Sequence, residues 1–213
     1  MAENKISPNT NNGISIYTDL DELLNLFSNT LRSHSRRVAV CSAIIAEYAD
    51  EFLGLYDFNG TGLAASIHLG GTCHDIGKLV LPSLTVSEED YLRHPVCGAE
   101  LLESNKDKLF SDEAQAKLVL EMVHYHHERA DGKGFPQGFK ANDIPLPAAI
   151  CAIANELDHL MYAGSGVRKA DGDIKNSIKL QTGSVFSECV VTFLMQAWAR
   201  LTEKYADWNR FVM

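Results

Sequence analysis

Apolar residues recur at helical spacing through most of this chain, and this pattern constrains the fold more than any other feature. In the segment TDLDELLNLF, Leu20, Leu23, Leu24 and Phe27 share one helical face, and Thr18 precedes them as a candidate N-cap. No segment shows the strict polar and apolar alternation of a half-buried strand. With 46% hydrophobic residues among 213, the chain can bury a substantial core. The sequence therefore predicts an all-α, single-domain helical bundle.

Caps, glycines and prolines set the expected limits of the helices. The predicted helices span residues 18–27, 33–54, 62–79, 87–95, 96–104, 111–128, 146–161 and 184–206. Pro95 is expected to end one helix before the next begins, because proline interrupts helical hydrogen bonding. The polar, glycine-containing segment 163–183 is expected to be a long loop. Residues 1–16 predict a flexible tail or the remnant of a linker, which leaves 17–213 as the helical domain.

Charge and composition limit the classes of partner. The formal net charge of -9 and the pI of about 5.3 argue against binding of a nucleic acid polymer, which usually requires a basic face. A small phosphorylated ligand remains compatible, since a metal or a local basic cluster can supply positive charge. The five cysteines are scattered and never form a CxxC pair, which is typical of a reducing cytosol. The longest apolar run, AAICAIA, is too short for a membrane span, so a cytoplasmic location is expected.

Candidate metal ligands occur in four short groups. They are His34, the pair His74 and Asp75, His94, and the pair His126 and His127. Imidazole nitrogens and carboxylate oxygens together suit Fe, Mn, Zn or Ni, without a need for thiolate. Each group alone fits a helix end, a turn or a loop, and a lone histidine on a helix is usually an ordinary core or surface residue. Their joint occurrence predicts a metal site.

Four motifs carry a resemblance to a known family. The segments HSRRVA, HDIGK, HPVCG and HHERADGKGFPQG begin at His34, His74, His94 and His126. In that order they resemble the motifs of the HD-GYP family of the HD phosphohydrolase superfamily, and the resemblance covers roughly residues 34–158. It implies a helical bundle with a metal centre of two or three ions that hydrolyses cyclic di-GMP or a related cyclic dinucleotide.

The resemblance also implies metal-binding roles for individual residues. His34, His74 and Asp75 match the ligands of one ion. Asp75 would bridge this ion to a second one, whose other ligands match His94, His126 and His127. His124 matches no ligand and is expected either to pack against the protein or to support a ligand without binding the metal itself.

Substrate and loop residues follow from the same resemblance. Lys78 matches a lysine that faces substrate phosphate, so Asp75 and Lys78 are the expected catalytic residues. The family's characteristic loop matches Asp131, Gly132, Gly134, Phe135 and Pro136, with phenylalanine in place of the usual tyrosine. Loss of one hydroxyl is expected to preserve the turn.

The sequence departs from the family at two metal positions. Asn155, in the segment AIANELDHL, replaces a metal-binding aspartate, while Asp158 matches the next acid. A neutral amide oxygen is a weaker ligand than a carboxylate, so Asn155 places the ion of His34 and His74 in question. Thr30 occupies the position of a glutamate found in members with three ions. Two ions at most are therefore expected, Fe or Mn first, with Zn or Ni as alternatives.

The basic substrate-binding segment of the family is also altered. The segment HLMYAGSGVRKADG stands in its place, with Arg168 and Lys169 as the expected substrate contacts. Two main hypotheses follow. The chain is a metal-dependent cyclic dinucleotide phosphodiesterase, or it is a weak or inactive module that binds a nucleotide, or a signalling protein such as a diguanylate cyclase, through the GFP loop. A different HD-superfamily hydrolase or oxygenase is a third hypothesis, against which the GFP loop argues.

Overall fold

The computed structural model describes residues 10–11, 14–15, 20–49, 62–81, 87–110, 112–162 and 169–211. Two strands of two residues each, β1 (Thr10–Asn11) and β2 (Ile14–Ser15), pair antiparallel. The helices within the described residues are α1 (Leu20–Asn25), α2 (Asn29–Ala46), α3 (Leu63–Cys73), α4 (Glu88–Glu103), α5 (Lys106–Leu109), α6 (Glu113–Tyr125), α7 (Leu146–Tyr162), α8 (Asp171–Leu180) and α9 (Glu188–Phe211). A short 3-10 helix, Ile76–Leu79, follows α3.

Helix α2 lies at the centre of the bundle, against α3, α7 and α9, and α6 packs on α3, α4 and α7. Fully buried side chains such as Ile45, Ile67 and Met122 fill the space between these helices. A Cβ atom on Gly71 would lie 2.6 Å from the Cα of Ala39, so this glycine permits the close approach of α3 to α2. The contact brings the C-terminal end of α3 next to the middle of α2.

The predicted all-α fold class is confirmed, but two local predictions are wrong. Helix α4 continues through Pro95 and does not end there. The predicted long loop contains α8, whose Ile174 and Ile178 lie one turn apart and are both fully buried. These two isoleucines form a single buried face, which is sufficient to hold a short polar helix against the bundle.

Helix α2 ends at Ala46, earlier than predicted, and the expected stop at Gly54 lies outside the described residues. The predicted flexible tail lies largely outside them as well, and the domain limits of 1–16 and 17–213 stay predictions. In the part of the chain that the structure describes, no helix has both the length and the apolar character needed to cross a membrane. No disulfide joins the five cysteines, all of which lie in the described residues, and Cys41, Cys73 and Cys151 are buried.

Candidate metal centre

Two of the histidines follow directly after helix C-termini. His74 comes after α3 and His126 after α6, and each ring Nδ1 lies beside the carbonyl oxygen three residues earlier, at 2.8 Å from Gly71 and 2.9 Å from Val123. The last carbonyls of a helix have no partner within the helix and are free to accept these bonds. A carbonyl oxygen carries no proton, so Nδ1 must donate. The Nε2 atom of each ring is therefore left as the ligand atom.

Pro95 creates the same arrangement in the middle of α4. The Nδ1 atom of His94 lies 2.5 Å from the carbonyl oxygen of Tyr91. In a regular helix this carbonyl would accept from the N–H of residue 95, but proline has no N–H. The free carbonyl instead orients the His94 ring. The proline that was expected to end the helix therefore contributes to the position of a ligand.

Asp75 lies between two groups of histidines, with one oxygen toward each. Its Oδ2 is 3.8 Å from Nε2 of His34 and 3.4 Å from Nε2 of His74. Its Oδ1 is 3.2 Å from Nε2 of His94 and 3.9 Å from Nε2 of His126. This is the geometry of a bridging carboxylate. We refer to His34, His74 and Asp75 as the first cluster, and to His94, His126 and His127 as the second cluster; within each, the ligand atoms lie within 4.8 Å of one another.

The protonation states in both clusters fit bound cations. The Nε2 atoms of His94 and His126 are 3.3 Å apart, and both are unprotonated because each Nδ1 donates. Two ligands about 2.1 Å from one ion lie roughly 3.0 to 3.4 Å apart. The Nε2 of His74 is buried without a hydrogen-bond partner in the described structure, and it faces a carboxylate. A cation between these lone pairs would remove their mutual repulsion.

Burial keeps three of the ligand rings neutral. It lowers the pKa of His74 to about 4 and that of His127 to about 3, and it places the pKa of His126 well below the usual value. Burial alone would disfavour the Asp75 carboxylate, but its neighbours His74, His94 and Lys78 hold its pKa well below the usual value. The site therefore presents neutral imidazoles and an ionised carboxylate, which are the ligand states that metals bind.

His127 completes the second cluster and connects it to the loop that follows α6. Its ring stacks on Phe135 at a centroid distance of 4.7 Å and an interplanar angle of 17°. Tyr91 packs edge-on against Phe135, and its ring centroid lies 5.3 Å from those of both His94 and His127. Phe135 thus supports a ligand ring through its aromatic face, a contact that needs no hydroxyl.

Glu128 holds the loop in place. Its buried carboxylate accepts hydrogen bonds from the backbone N–H of Gln137 at 2.6 Å and of Phe139 at 2.9 Å. A Cβ on Gly134 would lie 2.4 Å from the backbone nitrogen of Arg129, so only glycine fits at this crossing. The loop returns across its own start, next to His127.

Asp131 closes the outer part of the loop. Its carboxylate accepts two bonds from Arg129, at 3.0 and 2.8 Å, and one from the backbone N–H of Lys133 at 3.1 Å. The hydrogen bonds from Arg129 lower the pKa of Asp131 to about 2. Gly132 has a φ of +76°, which favours glycine, and the Phe135–Pro136 peptide bond is cis. The predicted loop residues therefore shape backbone beside the site.

The first cluster is supported by a side-chain carboxylate. His34 Nδ1 lies 2.7 Å from Oδ2 of Asp158, and Arg37 donates to both oxygens of Asp158 at 2.6 and 3.0 Å. Burial opposes ionisation of Asp158, but His34 and Arg37 hold its pKa below the usual value. Asp158 therefore orients a ligand ring, and its two oxygens are already engaged.

Asn155 lies one helical turn before Asp158 on α7. It is 9% exposed, and its side-chain oxygen is buried without a hydrogen-bond partner within the described residues. His159, one turn after Asn155 and next to Asp158 in sequence, stacks on His34 with a centroid distance of 5.1 Å. This face of α7 thus lies against the first cluster and presents an unsatisfied amide oxygen.

Comparison with known proteins identifies the fold. A family model described as HD domain matches residues 22–182. The chain belongs to the HD domain family. It is 26% identical over 196 residues to the 3'3'-cGAMP-specific phosphodiesterase 2 of Vibrio cholerae, a match that covers 83% of this chain and 34% of that protein. It is also 26% identical over 198 residues to a cyclic di-GMP phosphodiesterase of Thermotoga maritima, which covers 86% of this chain and 50% of the relative.

A solved structure shows the same fold. An HDG"Y"P protein from Bdellovibrio bacteriovorus has a TM-score of 0.56 and 22% identity, covering 79% of this chain and 53% of that one. The HD-GYP resemblance predicted from the motifs is confirmed. The chain spans half or less of the length of the two curated relatives it is compared with here.

The HD domain brings together most, but not all, of the predicted site residues. Lys78 Nζ lies 2.6 Å from Oδ2 of Asp75, so it is at the site and paired. Lys169 is exposed just before α8, Arg168 lies outside the described residues, and Thr30 is exposed near the start of α2. His124, which belongs to neither cluster, stacks on Tyr125. A cavity of about 250 Å³ adjoins the site, and its walls include Tyr91, His126, His127, Phe135, Asn155 and His159.

Sequence reasoning missed four residues that support this site. They are Arg37, Tyr91, Glu128 and His159. Arg37 and Glu128 stand inside two of the quoted motifs, HSRRVA and HHERADGKGFPQG, so their positions were a usable signal. His159 lies four residues after Asn155, which places both on one helical face. Tyr91 had no distinguishing signal, because its role depends on a backbone carbonyl freed by Pro95.

Proposed function

We propose that this HD domain is a metal-dependent phosphodiesterase that hydrolyses a cyclic dinucleotide, cyclic di-GMP or a related molecule. The observation that carries the proposal is the position of Asp75, with one oxygen toward each of two groups of unprotonated histidine nitrogens. Such an arrangement fits a pair of ions held close together. The relatives named as phosphodiesterases of cyclic di-GMP and of 3'3'-cGAMP support the substrate class.

The ligands for two ions would be His34, His74, Asp75, Asn155, His94, His126 and His127. Fe or Mn fits this set of imidazoles and one carboxylate best, and Zn or Ni is an alternative. Thiolate is not available from the nearest cysteine in sequence, since burial raises the pKa of Cys73 to about 12. When bound, such ions supply a hydroxide at neutral pH and neutralise charge on the phosphate.

The residues of the chain itself position the substrate and stabilise its charge. The Lys78 ammonium lies beside the carboxylate shared by the two clusters, where it can donate to a phosphoryl oxygen as negative charge develops. Tyr91 and Phe135 give the cavity an aromatic wall next to the second cluster. Arg168 and Lys169 are proposed contacts for the rest of the dinucleotide.

A second function is favoured by one observation, the amide of Asn155. If this neutral ligand leaves the first cluster empty, the domain would bind a nucleotide without efficient turnover. In that case the GFP loop, Asp131 to Pro136, would be the surface for a signalling partner such as a diguanylate cyclase. Lys133 is an exposed residue of this loop, while the ring of Phe135 stacks on the ring of His127. Either function is consistent with the expected cytoplasmic location.

The test is metal content measured together with hydrolysis. The purified chain is loaded separately with Mn and Fe, and the release of linear product from cyclic di-GMP and 3'3'-cGAMP is followed by chromatography. We expect bound metal and turnover of at least one dinucleotide. The His126→Ala variant should lose both, whereas His124→Ala, a histidine outside the clusters, should retain both. Absence of hydrolysis, with or without bound metal, would refute the phosphodiesterase and favour the nucleotide-binding module.

A further inference from the structure

A second cavity, of about 340 Å³, lies between α1, α2 and α3. It is lined by Asp21, Leu24, Asn25, Phe27, Arg32, Ser35, Arg36 and Thr72, and it shares none of these residues with the cavity at the metal centre. Its volume is in the range of small-molecule sites. The chemistry proposed for the metal centre gives this second cavity no role.

Two arginines on consecutive turns of α2 give this cavity positive charge. Arg32 donates through Nη2 to the carbonyl oxygens of Asn25 at 3.0 Å and Phe27 at 3.3 Å. Its Nε is buried and has no hydrogen-bond partner in the described part of the chain. Arg36 is exposed, and among the described residues no carboxylate pairs with either arginine. Buried donors are almost always satisfied, so the free Nε of Arg32 indicates a missing acceptor.

A buried serine adds a second unsatisfied donor. Ser35 is 1% exposed, lies between the two arginines in sequence, and lines the cavity. Its hydroxyl has no partner among the described residues. Removing a hydroxyl from water without a compensating hydrogen bond is unfavourable. Two guanidinium groups and a hydroxyl around one space form a site for an oxyanion, since arginine pairs with phosphate and carboxylate through parallel hydrogen bonds.

We propose that this cavity binds a phosphomonoester group, either free phosphate or the phosphate of a mononucleotide. Arg32, Ser35 and Arg36 would donate to its oxygens. Asp21, an exposed acid at the same cavity, would repel an anion placed against it, but it can accept a hydrogen bond from a sugar hydroxyl. Phe27 and Leu24 supply an apolar wall. A bound ligand would connect α1 to the α2 and α3 pair that carries His34 and precedes His74.

The experiment is calorimetric titration of the purified full chain with inorganic phosphate and, separately, with 5′-GMP. Arg36→Gln is the main variant, because this exposed side chain makes no hydrogen bond or ion pair with the described residues. We expect at least a tenfold loss of affinity, as for loss of a charge-assisted hydrogen bond. Ser35→Ala should weaken binding several-fold and should also raise the melting temperature without ligand, since it removes an unsatisfied buried hydroxyl.

Matched controls separate this cavity from general charge and from the metal centre. Arg93→Gln removes an exposed arginine on α4, and Ser42→Ala removes a buried serine elsewhere on α2; neither residue lines the cavity, and neither change should alter binding. Repeating the titration with His126→Ala removes any contribution of metal-bound phosphate, and binding should persist. Tighter binding of 5′-GMP than of phosphate would assign part of the site to the nucleoside. Failure of both ligands to bind at millimolar concentration, or binding that Arg36→Gln leaves unchanged, would overturn the proposal.

Discussion

The two clusters share Asp75 but differ in what holds their ligands. In the second cluster, His94 and His126 are oriented by backbone carbonyls, and His127 by the face of Phe135. In the first cluster, His74 also uses a backbone carbonyl, but His34 depends on Asp158, which in turn is held by Arg37. The second cluster is thus supported by helix ends and packing, whereas the first depends on a buried ionic network.

The charge available to each ion also differs. Asp158 lies close to the first cluster, but its oxygens are engaged by His34 and Arg37. The remaining position on α7 is Asn155, which offers one neutral oxygen. The first cluster therefore has only its share of Asp75 as negative charge. This difference predicts that the second cluster fills first and that the first cluster limits activity.

Loss of the shared carboxylate should weaken metal binding by both clusters. Asp75→Ala removes the one ligand common to both clusters, so we expect less than one ion per chain and hydrolysis reduced on the order of 10³-fold or more. Metal content by mass spectrometry and turnover of cyclic di-GMP check this. The control is Asp107→Ala, an exposed acid on α5, which should behave like the wild type. Retention of one full ion by Asp75→Ala would show that the second cluster does not need the bridge.

Substitution of Lys78 shows whether the positive charge next to Asp75 acts on the substrate or on the bound metal. Lys78→Ala removes the ammonium 2.6 Å from Asp75 Oδ2. Turnover should fall by roughly 10²-fold, as for loss of one positioned donor to a developing charge, while metal content is unchanged. Lys78→Arg keeps the charge and should recover part of the rate. If Lys78→Ala binds and cleaves the dinucleotide like the wild type, the lysine has only a structural role.

A substitution at Pro95 should lower the metal affinity of the second cluster without changing any of its ligand residues. Pro95→Ala restores the N–H that would bond the Tyr91 carbonyl, and it thereby competes with His94 Nδ1 for that oxygen. The affinity of the second cluster for Mn should fall roughly 10- to 100-fold, the usual effect of losing an outer-shell partner of a ligand. Pro147→Ala, near the start of α7, is the control for the loss of a proline. Unchanged Mn affinity in Pro95→Ala would mean that packing alone orients His94.

The pH dependence of folding stability measures how strongly burial disfavours protonation of the ligand histidines. In the metal-free protein, burial lowers the pKa of His74 to about 4 and of His127 to about 3, below the ordinary value of about 6.5 that both regain on unfolding. The unfolded chain then binds more protons, so stability present above pH 6.5 is lost as the pH falls toward 4. For His74 the expected loss at pH 5 is about 2 kcal/mol. Melting temperatures of the metal-free protein at pH 7.5 and pH 5 measure it, and metal loading should reduce the difference; equal values without metal would contradict burial of neutral rings.

The helical fold and the ligand set could be predicted from the sequence because both rest on local patterns. Periodic apolar residues gave the helices, and the motif order gave the histidines and Asp75. Helix α8 was missed because its buried face consists of two isoleucines in a polar segment. The helix through Pro95 could not be predicted, because it depends on a side chain taking over a backbone hydrogen bond. The roles of Asp158 and His159 could not be predicted, because they depend on the tertiary contact between α2 and α7.

The most direct test of the predicted difference in metal affinity between the two clusters is the number of ions bound per chain in the wild type and in Asn155→Asp. It is measured at matched metal concentration alongside cyclic di-GMP hydrolysis. A second carboxylate near the first cluster should strengthen its ion, because opposite charges attract more strongly in a buried site than in water. At the same free metal concentration, we predict about one ion per wild-type chain, a value near two for Asn155→Asp, and faster hydrolysis by the variant. Two ions at full occupancy in the wild type, with no gain from Asn155→Asp, would contradict the account and show that the amide is an adequate ligand.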